Sequence, residues 1–192
     1  MDINKYISSK PDFLLYFIPG LFALISVSIT NPPAAYDDLY RFYTFYNYFK
    51  DFSVSEFFTF VKNLPDFLIP IYLYIFSKLG ISVNVFLGFI TYTTVLIILK
   101  LSFLILGDQK KNVFSYLFLL SAISFSGLLS GVRNLHSIAF IYLAIYLYLE
   151  NKRIKALGSY LISVLTHFSS WMYVVLFVFL KFKMRWIYVV WI

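Results

Sequence analysis

Three places in the chain put charged or titratable side chains where apolar sequence would otherwise run on. Arg133 follows the apolar stretch 112–131. A guanidinium is a permanent cation with forked donors, suited to holding a phosphate. An arginine closing an apolar helix can also simply reach for water along its stem. Ser126, Ser130, Arg133 and Ser137 would share one face if the helix ran on, and Gly127 and Gly131 form a GxxxG pair suited to close helix packing. His167 lies inside the run 157–180, beside a polar stripe of Ser159, Ser163, Thr166 and Ser170. Such a stripe on an apolar helix should face other helices or water, and the imidazole could serve as acid, base or hydrogen-bond bridge. His136, three residues after Arg133, reads as an interfacial side chain. Asp37, Asp38 and Arg41 stand at helical spacing, so they form a local ion pair or supply a carboxylate that orients and activates a hydroxyl.

The elements that must position these groups are set by composition. Of 192 residues, 61% are hydrophobic and 13% charged, with 23 Phe and 17 Tyr; mean hydropathy is +0.81. A soluble domain is about half apolar and a quarter charged, and could not hide this much apolar surface. The expected fold is therefore all-α: a polytopic transmembrane bundle of about six or seven segments, some of them re-entrant, forming a single domain over 1–192. Stretch 13–30 reads as a retained first helix with a cytoplasmic N-terminus, followed by apolar stretches 67–76, 81–106, 112–131, 135–149, 157–180 and 186–192. The last stops mid-run at Trp191-Ile192, so the expectation is the N-terminal part of a longer protein.

The formal charge of +7 is spread over short basic runs between apolar stretches: Lys110-Lys111, Lys152-Arg153-Lys155 and Lys181-Lys183-Arg185. That pattern reads as cytoplasmic loops, not as a nucleic-acid surface. Residues 31–66 instead hold Asp37, Asp38, Asp51, Glu56 and Asp66 against Arg41, Lys50 and Lys62, which predicts an extracytoplasmic loop. Two short amphipathic helices are expected there. Tyr36, Tyr40, Tyr43 and Asn47 share a helical face, and Ser53-Val54-Ser55-Glu56 reads as a capping box opening the second. The side of Arg133 follows from the hairpin 112–149, whose basic flanks place its turn outside. Two basic clusters flank 157–180, so that stretch either dips in and returns or breaks the charge rule. With no Cys and two His, thiolate and His-rich metal sites are excluded. The G-x-S-G motif of a rhomboid-type serine protease fails twice, because Ser124 and Leu128 stand where its first Gly should be.

Tyr36-Asp37-Asp38-Leu39-Tyr40-Arg41-Phe42-Tyr43 resembles the start of the EpsG family, which is placed among the Wzy-like polysaccharide polymerases. Ser130-Gly131-Val132-Arg133-Asn134-Leu135-His136-Ser137-Ile138-Ala139 resembles its G-x-R-(Q/N)-x-x-(A/S)-x-A junction, and Leu165-Thr166-His167-Phe168-Ser169-Ser170 is similar to its (A/T)-x-x-H-x-S segment. The three occur in order across roughly 36–180, with Asn134 where Gln is common, in a chain shorter than members usually are. The resemblance implies a bacterial inner-membrane glycosyltransferase that joins oligosaccharide repeat units carried on polyprenyl diphosphate into capsule, exopolysaccharide or O-antigen. It implies that Arg133 clamps the leaving diphosphate, that His167 is the base for the acceptor hydroxyl or a second phosphate contact, and that Asp38 is the loop acid. Asp37, Tyr40, Arg41, Asn134, His136 and Ser170 would contact substrate. No metal or cofactor is implied; the partners are the lipid-linked oligosaccharide, membrane lipid, a flippase and a chain-length regulator. The alternatives are a GT-C-like transferase or ligase, and a non-catalytic flippase or assembly subunit.

Overall fold

The computed structural model describes residues 13–28, 38–106, 131–173 and 175. Every regular element among them is helical, as composition predicts. In chain order they are α1 (Phe13–Val27), α2 (Asp38–Asp51), α3 (Val54–Val61), α4 (Leu68–Lys78), α5 (Val83–Leu106), α6 (Val132–Leu149), α7 (Arg153–Thr166) and a 3-10 turn (Phe168–Tyr173). Stretches 112–130 and 186–192 of the sequence reading lie outside the described residues. Among the described residues one stretch, Val83–Ser102 of α5, is long and apolar enough to cross a membrane; α1 and α4 supply the shorter apolar stretches Leu15–Val27 and Leu68–Lys78.

Local chemistry accounts for several helix ends. The two helices expected in the acidic segment are α2 and α3. Ser53 Oγ accepts from the Glu56 N–H at 3.3 Å while Glu56 Oε2 accepts from the Ser53 N–H at 2.7 Å, closing the predicted capping box. The Ser53 side chain and then its backbone N–H hold the Glu56 carboxyl below its ordinary value. Pro70 is the third residue of α4, where its missing N–H has no partner within the helix. Helices α4 and α6 each end in a left-handed residue, Gly80 (φ 69°) and Asn151 (φ 59°). After each, a 6→1 hydrogen bond closes the turn: Ile81 N–H to Phe76 O at 2.9 Å, and Lys152 N–H to Leu147 O at 2.8 Å.

Helices α1 and α5 pack antiparallel. Asn84 Nδ2 donates to Val27 O at 3.2 Å at one end, while Leu15 and Ile18 pack near Val95 and Leu99 at the other. Between them Ser26 Oγ donates to Thr91 Oγ1 at 3.1 Å. Gly88 permits the close approach: a Cβ there would sit 2.6 Å from Val27 Cγ2 and 3.3 Å from Ala23 O. Val27 is stiff about χ1 and the Ala23 carbonyl is backbone, so neither yields easily. Gly88→Val is expected to cost about 1–3 kcal/mol, read as a lower thermal midpoint of the purified chain in detergent. Gly20→Ala is the control, since a Cβ at Gly20 meets nothing within 4 Å.

Helix α6 packs on both α5 and α7, and α2 packs on α4. An aromatic core joins α2, α3, α4 and the start of α5. Phe42, Phe49, Phe57 and Phe86 are fully or almost fully buried, and Phe57 stacks on Tyr74 with ring centroids 4.2 Å apart. One expectation needs correction. Arg133 does not close a helix that begins at Asn112; it lies in the first turn of α6, whose N-cap is Gly131. Stretch 157–180, left open by its charge pattern, is interrupted: α7 ends at Thr166 and His167 is extended (φ −148°, ψ 110°).

Candidate functional site around Asp66

The break after Thr166 has an identifiable cause. In a continuing helix the Phe168 N–H would donate to the Val164 carbonyl; instead it donates to Asp66 Oδ1 at 2.7 Å. One residue on, the Phe67 N–H donates to Leu165 O at 2.9 Å. Segment 66–67 thus laces onto the end of α7 and satisfies backbone groups that the terminus leaves open. The His167 N–H keeps a helical bond to Ser163 O at 2.9 Å, and its carbonyl accepts from the Ser170 N–H at 2.9 Å.

The same carboxylate collects the two side chains of greatest chemical interest. Arg133 Nη1 donates to Asp66 Oδ2 in a hydrogen-bonded ion pair. His167 Nδ1 stands 3.7 Å from Asp66 Oδ1, too far for a hydrogen bond. Arg133 occupies the positive end of α6, where a cation is disfavoured by the helix dipole. The helix terminus and the guanidinium together make that corner electropositive, and Asp66 answers both. Asp66 is nearly buried (5% exposed), so its charge is tolerable only because it is paired and hydrogen-bonded.

A cavity of about 110 Å³ opens beside the pair, with Arg41, Arg133 and Asp66 as its charged lining and Phe42, Phe45, Ile69 and Pro70 among its walls. A water takes about 30 Å³ of liquid, so the cavity admits a few waters or one small anionic group. Two guanidinium-bearing residues from distant parts of the chain, α2 and α6, therefore face one space with one carboxylate. This arrangement can hold an anion with directed charge-assisted hydrogen bonds.

The remaining predicted residues fall into distinct places. Asp37 and the side chain of Asp38 lie outside the described residues. Tyr40 and Asn134 are exposed and do not line the cavity. His136 is buried between α5 and α6, with its Nδ1 2.7 Å from Thr94 Oγ1 and its ring edge-on to Phe140. The structure thus places it as an interhelical partner, in the packing and not at a water interface. Ser170 is buried in a hydroxyl cluster: Ser137 Oγ bonds Ser170 Oγ and also Ser163 Oγ at 2.8 Å. That cluster ties α6, α7 and the 3-10 turn together, and so fixes the backbone that carries His167. Ser159, Ser163 and Thr166 are buried with it, as the polar stripe predicts.

Asp66 is the residue that sequence reasoning passed over, counting it only toward the acidity of 31–66. One signal could have found it. It is the last carboxylate before an apolar stretch, directly after Pro65, where an ionisable side chain at an apolar helix entry calls for a named partner. Comparison with protein families, with curated proteins and with solved structures finds no match for this chain.

Proposed function

We propose that this chain is a multi-pass protein of the bacterial cytoplasmic membrane, built from about six or seven membrane segments. In this reading it joins polyprenyl-diphosphate-linked oligosaccharide units into a surface polysaccharide at the outer face. Support for embedding comes from α7, which is inside out for a helix in water. Its Ser159, Ser163 and Thr166 are buried, whereas Ile154, Leu157, Leu161 and Leu165 are exposed. Lipid solvates such an apolar face, and polar side chains then turn inward. At 14 residues α7 is about 21 Å long, short of the ~30 Å apolar core. A helix that stops at that depth needs its backbone satisfied by protein, and the Asp66–Phe168 and Phe67–Leu165 bonds do this.

The observation that carries the chemical reading is the convergence of Arg133 and His167 on one carboxylate although 34 positions separate them. Glycosyl transfer from a diphosphate carrier needs a cation where charge develops and a base near the incoming hydroxyl. The acceptor oxygen forms the new bond to the anomeric carbon as the carbon–oxygen bond to diphosphate breaks. The diphosphate leaves with the bonding electrons, and the hydroxyl proton passes to His167. Arg133 stabilises the departing charge, Arg41 lines the same cavity as a second guanidinium, and the resemblance assigns the orienting of the acceptor to Asp38. The exposed Tyr40 and Asn134 would meet the glycan outside the cavity. No metal or other cofactor enters this scheme.

The direct test is a gel of surface polysaccharide from cells lacking the gene, with and without a full-length wild-type copy. A polymerase gives a ladder of chain lengths that disappears with the gene and returns with the copy. Loss of one sugar from every rung would favour a single-sugar transferase. An unchanged ladder would end the glycan reading.

A further inference from the structure

We propose that Asp66 sets the tautomer of His167, keeping the ring proton on Nδ1 and leaving Nε2 as the acceptor. Nδ1 is the buried ring nitrogen and has no hydrogen-bond partner among the described residues. The ionic group facing it is Asp66 Oδ1, at 3.7 Å. A bare Nδ1 would bring its lone pair near a carboxylate oxygen 3.7 Å away, two negative ends close together. A protonated Nδ1 brings its positive end there instead, and the attraction persists at this distance because little water intervenes. The pattern is that of a histidine whose second nitrogen is oriented by a neighbouring carboxylate.

Neither partner is free to turn away. Asp66 is held by Arg133 and by the Phe168 N–H, and its own backbone is anchored by the neighbouring Phe67–Leu165 bond. His167 is fixed at both backbone groups, to Ser163 and Ser170. Asp66 is accordingly a positioning residue: it need not touch the substrate, but it decides which nitrogen can take a proton. That consequence rests on the proposed role of His167 as base, whereas the tautomer itself does not.

The experiment is nitrogen NMR of the full chain labelled with 15N-histidine in lipid nanodiscs. The spectra are taken at a pH high enough that the ring-nitrogen shifts of both histidines no longer change with pH, so that the imidazoles are neutral. Loss of one of the two histidine patterns in His167→Gln assigns the other to His136. The expected wild-type pattern for His167 is a protonated Nδ1 and a bare Nε2. A wild-type pattern with the proton on Nε2 overturns the proposal without any variant at Asp66. The second arm is Asp66→Leu/Arg133→Met, which removes the carboxylate together with its cation. There the majority should revert to Nε2–H, the form that a neutral histidine side chain favours in water. Retention of Nδ1–H in that protein would show that Asp66 does not set the tautomer. If the tautomer behaves as proposed while the polysaccharide ladder ignores the gene, the glycan chemistry fails and the Asp66–His167 relation stands.

Discussion

Arg133→Ala is expected to abolish the long-chain ladder and leave single lipid-linked repeat units, with the protein still present in the membrane. The loss follows from position as well as charge. Arg133 is in the first turn of α6, pairs with Asp66 and lines the cavity that Arg41 also lines. Removing one directed donor from a developing anion costs about 10²–10³-fold in rate. Arg133→Lys should recover part of this, because an ammonium keeps the charge but not the fork. Polymer is read on gels from a deletion strain complemented with each variant, and protein level on blots of the membrane fraction. Full ladders from Arg133→Ala would remove this residue from the site. Single units from alanine with partial ladders from lysine would separate lost chemistry from lost fold, since the conservative variant restores charge but not geometry.

Asp66→Ala is expected to be strongly destabilising. It takes the carboxylate from the Arg133 guanidinium, whose side chain is 15% exposed, at the positive end of a helix. It also takes the acceptor from the Phe168 N–H. Breaking a buried pair from one side costs about 3–5 kcal/mol, and the partial exposure of Arg133 favours the lower end. Adding Arg133→Met should recover part of the loss, because the cation that lost its carboxylate is then gone. What remains is the orphaned Phe168 N–H, worth about 1–3 kcal/mol. Chemical denaturation of the four proteins in one detergent gives the cycle directly. Additive losses would mean that the ion pair contributes nothing beyond its separate members. A rescue in the double variant would identify Asp66 as the group that makes a buried arginine tolerable.

Much of the fold can be read from neighbouring residues. Apolar runs and the near-absence of charge within them specify helices without reference to any partner. The capping box at Ser53 and Glu56 is written in four consecutive residues, and the structure closes it as written. The polar stripe on α7 also follows from spacing alone, because helical period determines which side chains share a face. Its direction, polar side in, follows from the apolar residues that make up the opposite side.

What sequence could not determine depends on contacts between distant segments. The end of α7 is invisible locally, since nothing in 160–175 forbids a helix; the break depends on an acceptor 102 positions away, at Asp66. The value of Asp66 was hidden for the same reason. A lone carboxylate in an acidic loop looks like topology until Arg133 and His167 are placed on it. Conversely, His136 reads from its place three residues after Arg133 as an interfacial side chain. Facing Thr94 of α5, it became a buried interhelical contact. Helical period decides which residues share a face, but only packing decides what that face meets. For this chain, sequence determined the all-helical class and the residues rich in chemistry. Tertiary structure decided that one buried carboxylate joins them, because a charge in an apolar interior must find its partners wherever the chain brings them.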